Sequence, residues 1–166
     1  MGKRLQHVKV VILLCKGGGD TGWGHWSRVC SIYHGLIGRT PDLRIYLVVE
    51  NSNGSNLPFF DNLDSAEIHD CELAFPVMEA LAAKISNKPC QVVIDHPTLS
   101  CEEIRCVYEK FDSLVLFYTS LRSYYPPGII KTLVCPRPNL PNELVHFAGQ
   151  VLAGVVVACV AAVLIA

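Results

Sequence analysis

His25 and Arg28 lie three residues apart, directly behind a cluster of glycines at positions 17, 18, 19, 22 and 24. Of all stretches in the chain, this one best combines residue type and spacing for chemistry. An imidazole titrates near neutral pH and can take a proton from water or from a hydroxyl group. A guanidinium one helical turn further on can hold a phosphate or a carboxylate, or pair with Glu50 or Asp95 for structure. Asp95 closes a short apolar run and can orient the imidazole or share its work; without such a role, His25 would simply cap its helix and bond the turn. Asp20, Trp23 and Trp26 are placed to shape a pocket for a second substrate, although tryptophans serve more often in packing. Arg137, between Pro136 and Pro138, reads as a rigid exposed loop residue. No nucleophile motif, metal-ligand spacing or pattern of aromatic stacking residues competes with the histidine.

The elements that must position these groups follow from the pattern around them. Val8 to Leu14 is a run of β-branched and aliphatic residues, and Trp26 to Leu36 carries apolar residues at helical spacing. A strand, a glycine-rich turn and a helix in that order open a nucleotide-handling α/β domain. Glycine permits the sharp turn and lets backbone N–H groups approach a ligand, while the helix directs its positive end to the same place. The third glycine of the dinucleotide fingerprint is absent, since Gly22-Trp23-Gly24 runs into His25-Trp26-Ser27. A P-loop is excluded because no Gly-Lys-Ser/Thr follows.

Further strands are expected over Leu43 to Val49, Ala66 to His69, Gln91 to Ile94, Ser113 to Tyr118 and Ile129 to Val134. Helices are expected over Leu73 to Ile85 and from Ser100, which forms a capping box with Glu103, to about Lys110. Alternating strands and helices predict an α/β, Rossmann-like three-layer sandwich with a mainly parallel sheet over residues 1–140. His25, Glu50, Asp95, His96, Thr119 and Arg137 all follow strand ends, so such a fold gathers them along one edge, where ligands collect. Residues 144–166 carry no charge and read as an apolar helix, either a single-pass C-terminal membrane anchor or a helix closing the domain. Gly154, Ala158 and Ala162 give it small-residue spacing for close helix contact. With Lys131 and Arg137 preceding it, an anchor of this kind holds the globular part on the cytoplasmic face.

With 166 residues the chain suits one domain around a single core. A net charge of −1 supplies no basic field for nucleic acid. The hydrophobic content of 51% is high for a soluble domain and points to a membrane through 144–166. The eight cysteines form no C-x-x-C pair and no zinc spacing, so they are expected to be reduced structural thiols. The N-terminal apolar run ends in Lys16 and glycines instead of a cleavage site, which favours a first strand over a signal peptide. The Asn53-Gly54-Ser55 sequon is chemically idle in a cytosolic domain.

Gly22, Gly24, His25 and Arg28 together match G-x-G-H-x-x-R, and the segment GWGHWSR resembles the opening of the N-terminal half of GT-B-type nucleotide-sugar enzymes. The nucleotide-sugar hydrolases of the pseudaminic acid pathway and related predicted glycosyltransferases look most similar there. Asp20-Thr21-Gly22 is similar instead to the D-T-G-G-G-H of diacylglycerol galactosyltransferases, and Asp95-His96 resembles a D-H pair of the hydrolases. The resemblance implies that His25 and Asp95 are catalytic, with His25 the general base. It implies that Gly22, Gly24, Arg28, His96 and Asp20 bind substrate, with no metal or other cofactor. The partners it implies are a nucleotide sugar and a sugar or lipid-linked acceptor. In such enzymes a second, C-terminal domain makes most of the nucleotide contacts, so a separate protein subunit would supply that half. The rival expectation is a non-catalytic, membrane-tethered Rossmann-like module or truncated relic.

Overall fold

The computed structural model describes residues 10–40, 42–58, 62–85, 88–111, 114–117, 130–135 and 148–153; in the last two segments only the backbone and the side chain of Val134 are described. Among the described residues seven strands form one sheet: β1 (Val10–Lys16), β2 (Arg44–Glu50), β3 (Ala66–Cys71), β4 (Cys90–Asp95), β5 (Leu114–Phe117), β6 (Ile130–Cys135) and β7 (Ala148–Ala153). Their spatial order is β3-β2-β1-β4-β5-β6-β7, and every pairing is parallel. Helices α1 (Gly24–Ile37), α2 (Ala74–Lys84) and α3 (Cys101–Phe111) cover the sheet. This is the expected Rossmann-like α/β sandwich.

The core is split by the pleat of the sheet. Ile12, Leu14, Tyr46, Val48, Val92 and Ile94 face α2 and α3. Val11, Leu13, Cys15, Ile45, Leu47 and Val93 face α1. Strands buried on both faces need apolar residues at every position, which is why VVILLC in β1 has no polar alternation. Helix α1 answers with Trp26, Val29, Cys30, Tyr33 and Leu36, the helical spacing that puts one stripe on the sheet. Helix α3 begins with the expected capping box: the Ser100 N–H and hydroxyl both donate to Glu103 Oε2 at 2.7 Å, and the Glu103 N–H donates back to Ser100 Oγ at 3.2 Å.

The C-terminal stretch departs from expectation. Ala148–Ala153 is a strand paired in register with β6, so the sheet runs on past residue 140 and a single helix over 144–166 does not form. A continuous apolar run is as compatible with a strand buried in a sheet as with a buried or membrane helix, and periodicity cannot separate the two. Residues 144–147 and 154–166 lie outside the described residues, as do Thr119 and Arg137. Among the described residues no helix is long and apolar enough to cross a membrane.

Ser100→Ala removes the hydroxyl that receives the Glu103 N–H. It should cost about 1 kcal/mol of stability, read as a lower urea midpoint at unchanged slope.

Candidate functional site

Strand β1 ends beside the ends of its neighbours: Lys16 pairs with Glu50 of β2, and Cys15 with Asp95 of β4. The chain then turns through Gly17 to Trp23 into α1. Gly18 and Gly22 are in the left-handed region with φ of 75° and 62°, where a side chain is strained. Gly18 is also held between two side chains, since a Cβ there would lie 3.0 Å from Asn51 Oδ1 and 3.4 Å from the Trp23 ring. Asn51 is fixed in turn by donating from Nδ2 to the Ser55 carbonyl at 2.6 Å.

Several N–H groups of this turn are already bonded within the chain. Gly17 donates to the Glu50 carbonyl, Gly18 to Gly22, Thr21 to Gly18 and Gly22 to Gly19. The glycines therefore serve close packing of the turn against the β2 loop. Gly24 is the first residue of α1, and the Arg28 Nη1 atom lies 4.0 Å from where its Cβ would be.

One turn into α1, side chains converge on Asp95, whose own side chain is 3% exposed. The His25 ring lies with Nδ1 2.7 Å from Asp95 Oδ1. Arg28 donates from Nε to Oδ2 at 2.7 Å and from Nη2 to Oδ1 at 3.1 Å. Its guanidinium carbon lies 6.0 Å from the centre of the Phe117 ring. A carboxylate this deep is stable only with its charge matched and its lone pairs filled, and Arg28 does both.

Arg28 Nη2 also approaches His25 Nδ1 to 2.7 Å, so Nδ1 has a donor on one side and a carboxylate oxygen on the other. Unprotonated, Nδ1 accepts from Arg28 Nη2 but sets its lone pair against Asp95 Oδ1 at 2.7 Å. Protonated, Nδ1 donates to Asp95 Oδ1 but sets its N–H against the Arg28 donor, so its role depends on the tautomer. In the tautomer with Nδ1 protonated, Nε2 carries the lone pair. Among the described residues it has no hydrogen-bond partner and is not among the buried atoms left without one. The His25 side chain is 19% exposed, so in that tautomer the site presents a base.

A second polar cluster occupies the opposite face of the same strand ends. The Lys16 ammonium lies 3.0 Å from Glu50 Oε1 and 3.2 Å from Thr98 Oγ1. Glu50 Oε2 accepts the Ala74 N–H at the start of α2, so it does the work of a helix cap from another strand. His96 Nε2 lies 3.5 Å from Glu50 Oε1. The nearby His96 imidazole does most to hold the Glu50 carboxyl down at about 2; burial opposes this, while the Ala74 N–H and the Lys16 ammonium add to it.

The sequence-derived residues therefore divide. His25, Arg28 and Asp95 meet, and of the two carboxylates offered to Arg28 it takes Asp95 rather than Glu50. His96 follows Asp95 in the chain, but alternation along the strand turns it to the α2 side, away from His25. Asp20 is exposed on the turn and makes none of the bonds of the His25 cluster. Trp23 covers Gly17, while Trp26 is buried in the core and donates to the Pro58 carbonyl at 3.3 Å. Phe117, Lys16 and Thr98 were not picked out as site residues, because only strand pairing brings them near.

Burial raises the Cys30 and Cys90 thiols to about 12 and Cys71 to about 11, and raises Cys15 well above its ordinary value. These are poor nucleophiles. Among the described residues no three His, Cys, Asp or Glu side chains are grouped as ligands of a metal ion. In comparisons with known proteins, no family model matches the chain and no curated protein gives a significant match.

Because its pKa is lower in the folded chain, Glu50 contributes stability that is complete above about 4.5 and is lost as pH falls from there through about 2. The Glu50→Gln protein should be less stable than the parent near neutrality by about 3 kcal/mol or less. That difference should shrink across the same acid window in urea titrations at stepped pH.

Proposed function

We propose that this chain is the N-terminal, acceptor-side half of a GT-B-like glycosyltransferase or nucleotide-sugar hydrolase, completed by a separate protein subunit that supplies the C-terminal half. The observation that carries the reading is the 2.7 Å contact between His25 Nδ1 and Asp95 Oδ1 behind a glycine turn. It leaves Nε2 to act on a hydroxyl or a water at the carboxyl edge of the sheet, where parallel α/β folds take their ligands.

In this reading His25 Nε2 removes the proton from the attacking oxygen as that oxygen bonds to the anomeric carbon, and the nucleotide leaves with the electrons of the broken bond. Asp95 holds the ring in the required tautomer and stabilises the imidazolium that forms, as a carboxylate does in other histidine bases. Arg28 keeps Asp95 ionised and in place, and its Nη1 atom, near Gly24 at the start of α1, is the group available to an anionic part of the substrate. The likeness of GWGHWSR to the GT-B signature supplies the substrate class; the geometry supports only the base.

The same contacts also fit a second reading, a non-catalytic α/β module in which Arg28 and Asp95 form a buried structural ion pair. The two readings part on turnover. The full chain, alone and with any subunit co-purified from its native host, should be assayed against a panel of nucleotide sugars. Under the enzyme reading His25→Ala lowers kcat by about 10²–10⁴ with a smaller change in KM, and Asp95→Asn is similarly impaired. Turnover unchanged in His25→Ala removes the base, and absence of both binding and turnover across the panel leaves the structural module.

A further inference from the structure

Strand β3 ends the sheet among the described residues, pairing with β2 on one side only. Apart from the Ala66 N–H, which donates to the Leu63 carbonyl at 2.9 Å, its outer row of N–H and C=O groups is a template for another strand. Ala66 packs on the α1 side of the sheet and Cys71 on the α2 side, so Ile68 and Asp70 share the first face, and Glu67 and His69 the second. Ile68 is 41% exposed on this edge. Beside it lies a cavity of about 470 Å³ whose wall includes Leu57, Leu63 and Ala66, so the exposed apolar surface continues inward from the strand.

We propose that β3 pairs antiparallel with β3 of a second copy of this chain about a two-fold axis at Ile68, joining two sheets into one. A two-fold axis perpendicular to the sheet keeps each face on its own side, so paired residues must share a face. For a strand of this length that leaves registers centred on Glu67, Ile68 or His69. Centring on Glu67 sets its carboxylate against itself, which destabilises a pair. Centring on His69 sets imidazole against imidazole and Ile68 against Asp70. Centring on Ile68 sets isoleucine against isoleucine on one face and, on the other, Glu67 of each copy against His69 of the other, a carboxylate facing an N–H donor twice over. Within each chain Glu67 is already held by Lys84 at 2.7 Å, His69 Nε2 at 3.3 Å and Arg44 at 3.4 Å, so it stays ionised there and the other copy's His69 extends that network. The strand is thus complementary to itself in that one register.

A pair of six-residue strands is small against the roughly 1,200–2,000 Å² of a standard interface, so the association is weak and is read at high concentration. None of this depends on the role of His25.

Sedimentation equilibrium of the full chain in reducing buffer should show a reversible monomer–dimer equilibrium. Ile68→Asp should weaken it at least tenfold, while Leu73→Asp, a change at a more exposed leucine outside the strand, leaves it unaltered. Residues directly opposed in an antiparallel pair have Cα atoms about 4.5–5.5 Å apart, within disulfide range. Under oxidising conditions Ile68→Cys should therefore give a dimer linked from position 68 to position 68, identified by mass spectrometry of the joined peptides. The proposal is overturned by a chain that stays monomeric at every concentration. It is overturned equally by a dimer indifferent to Ile68→Asp, or by an Ile68→Cys dimer without the 68-to-68 link.

Discussion

A carboxylate buried at the end of an inner strand is the constraint around which the candidate site is arranged. Asp95 closes β4 beside the end of β1, where the sheet is covered and water has little access. An ionised group in that position must be matched by fixed positive charge and filled with donors, or its desolvation works against the fold. Helix α1 provides both within one turn, from Arg28 and His25. The glycine turn exists to make that possible: it brings α1 back over the sheet so tightly that Gly18 lies between an asparagine amide and an indole.

The two faces of the sheet treat their strand ends differently. On the α1 side the charges are gathered around a histidine that still offers one nitrogen. On the α2 side Lys16, Glu50 and His96 close on one another, and Glu50 ties the end of β2 to the start of α2. The second cluster makes the edge rigid under the first. In the proposed function a base held by a carboxylate depends on that support, since displacement of about 1 Å is enough to spoil a catalytic geometry.

Most of the layered fold was legible in the sequence because its strands and helices have unambiguous periods. VVILLC, IYLVV and QVVI are short apolar runs between breakers, and α3 carries its capping box in plain view as Ser100 and Glu103. The last strand was not legible: an apolar run with neither alternation nor charge fits a strand and a helix equally, and its pairing with β6 decides between them. The meeting of His25 with Asp95 could be expected from strand ends alone, since both lie at the carboxyl edge. The position of His96 could not be read so directly, because it depends on which way the pleat turns the residue after Asp95. Nor does the sequence disclose that several N–H groups of the glycine turn are bonded within the turn or to the end of β2.

The central claim is that Asp95 holds the His25 ring with Nδ1 protonated and Nε2 bare. Long-range ¹H–¹⁵N correlation spectra of the imidazoles in the full chain, recorded on the alkaline side of neutrality with His25 assigned by substitution, report this directly. The account predicts a pyridine-like Nε2 and a pyrrole-like Nδ1 at His25, with that preference lost in Asp95→Ala. A His25 protonated on Nε2, or one whose tautomer is indifferent to Asp95, would contradict it.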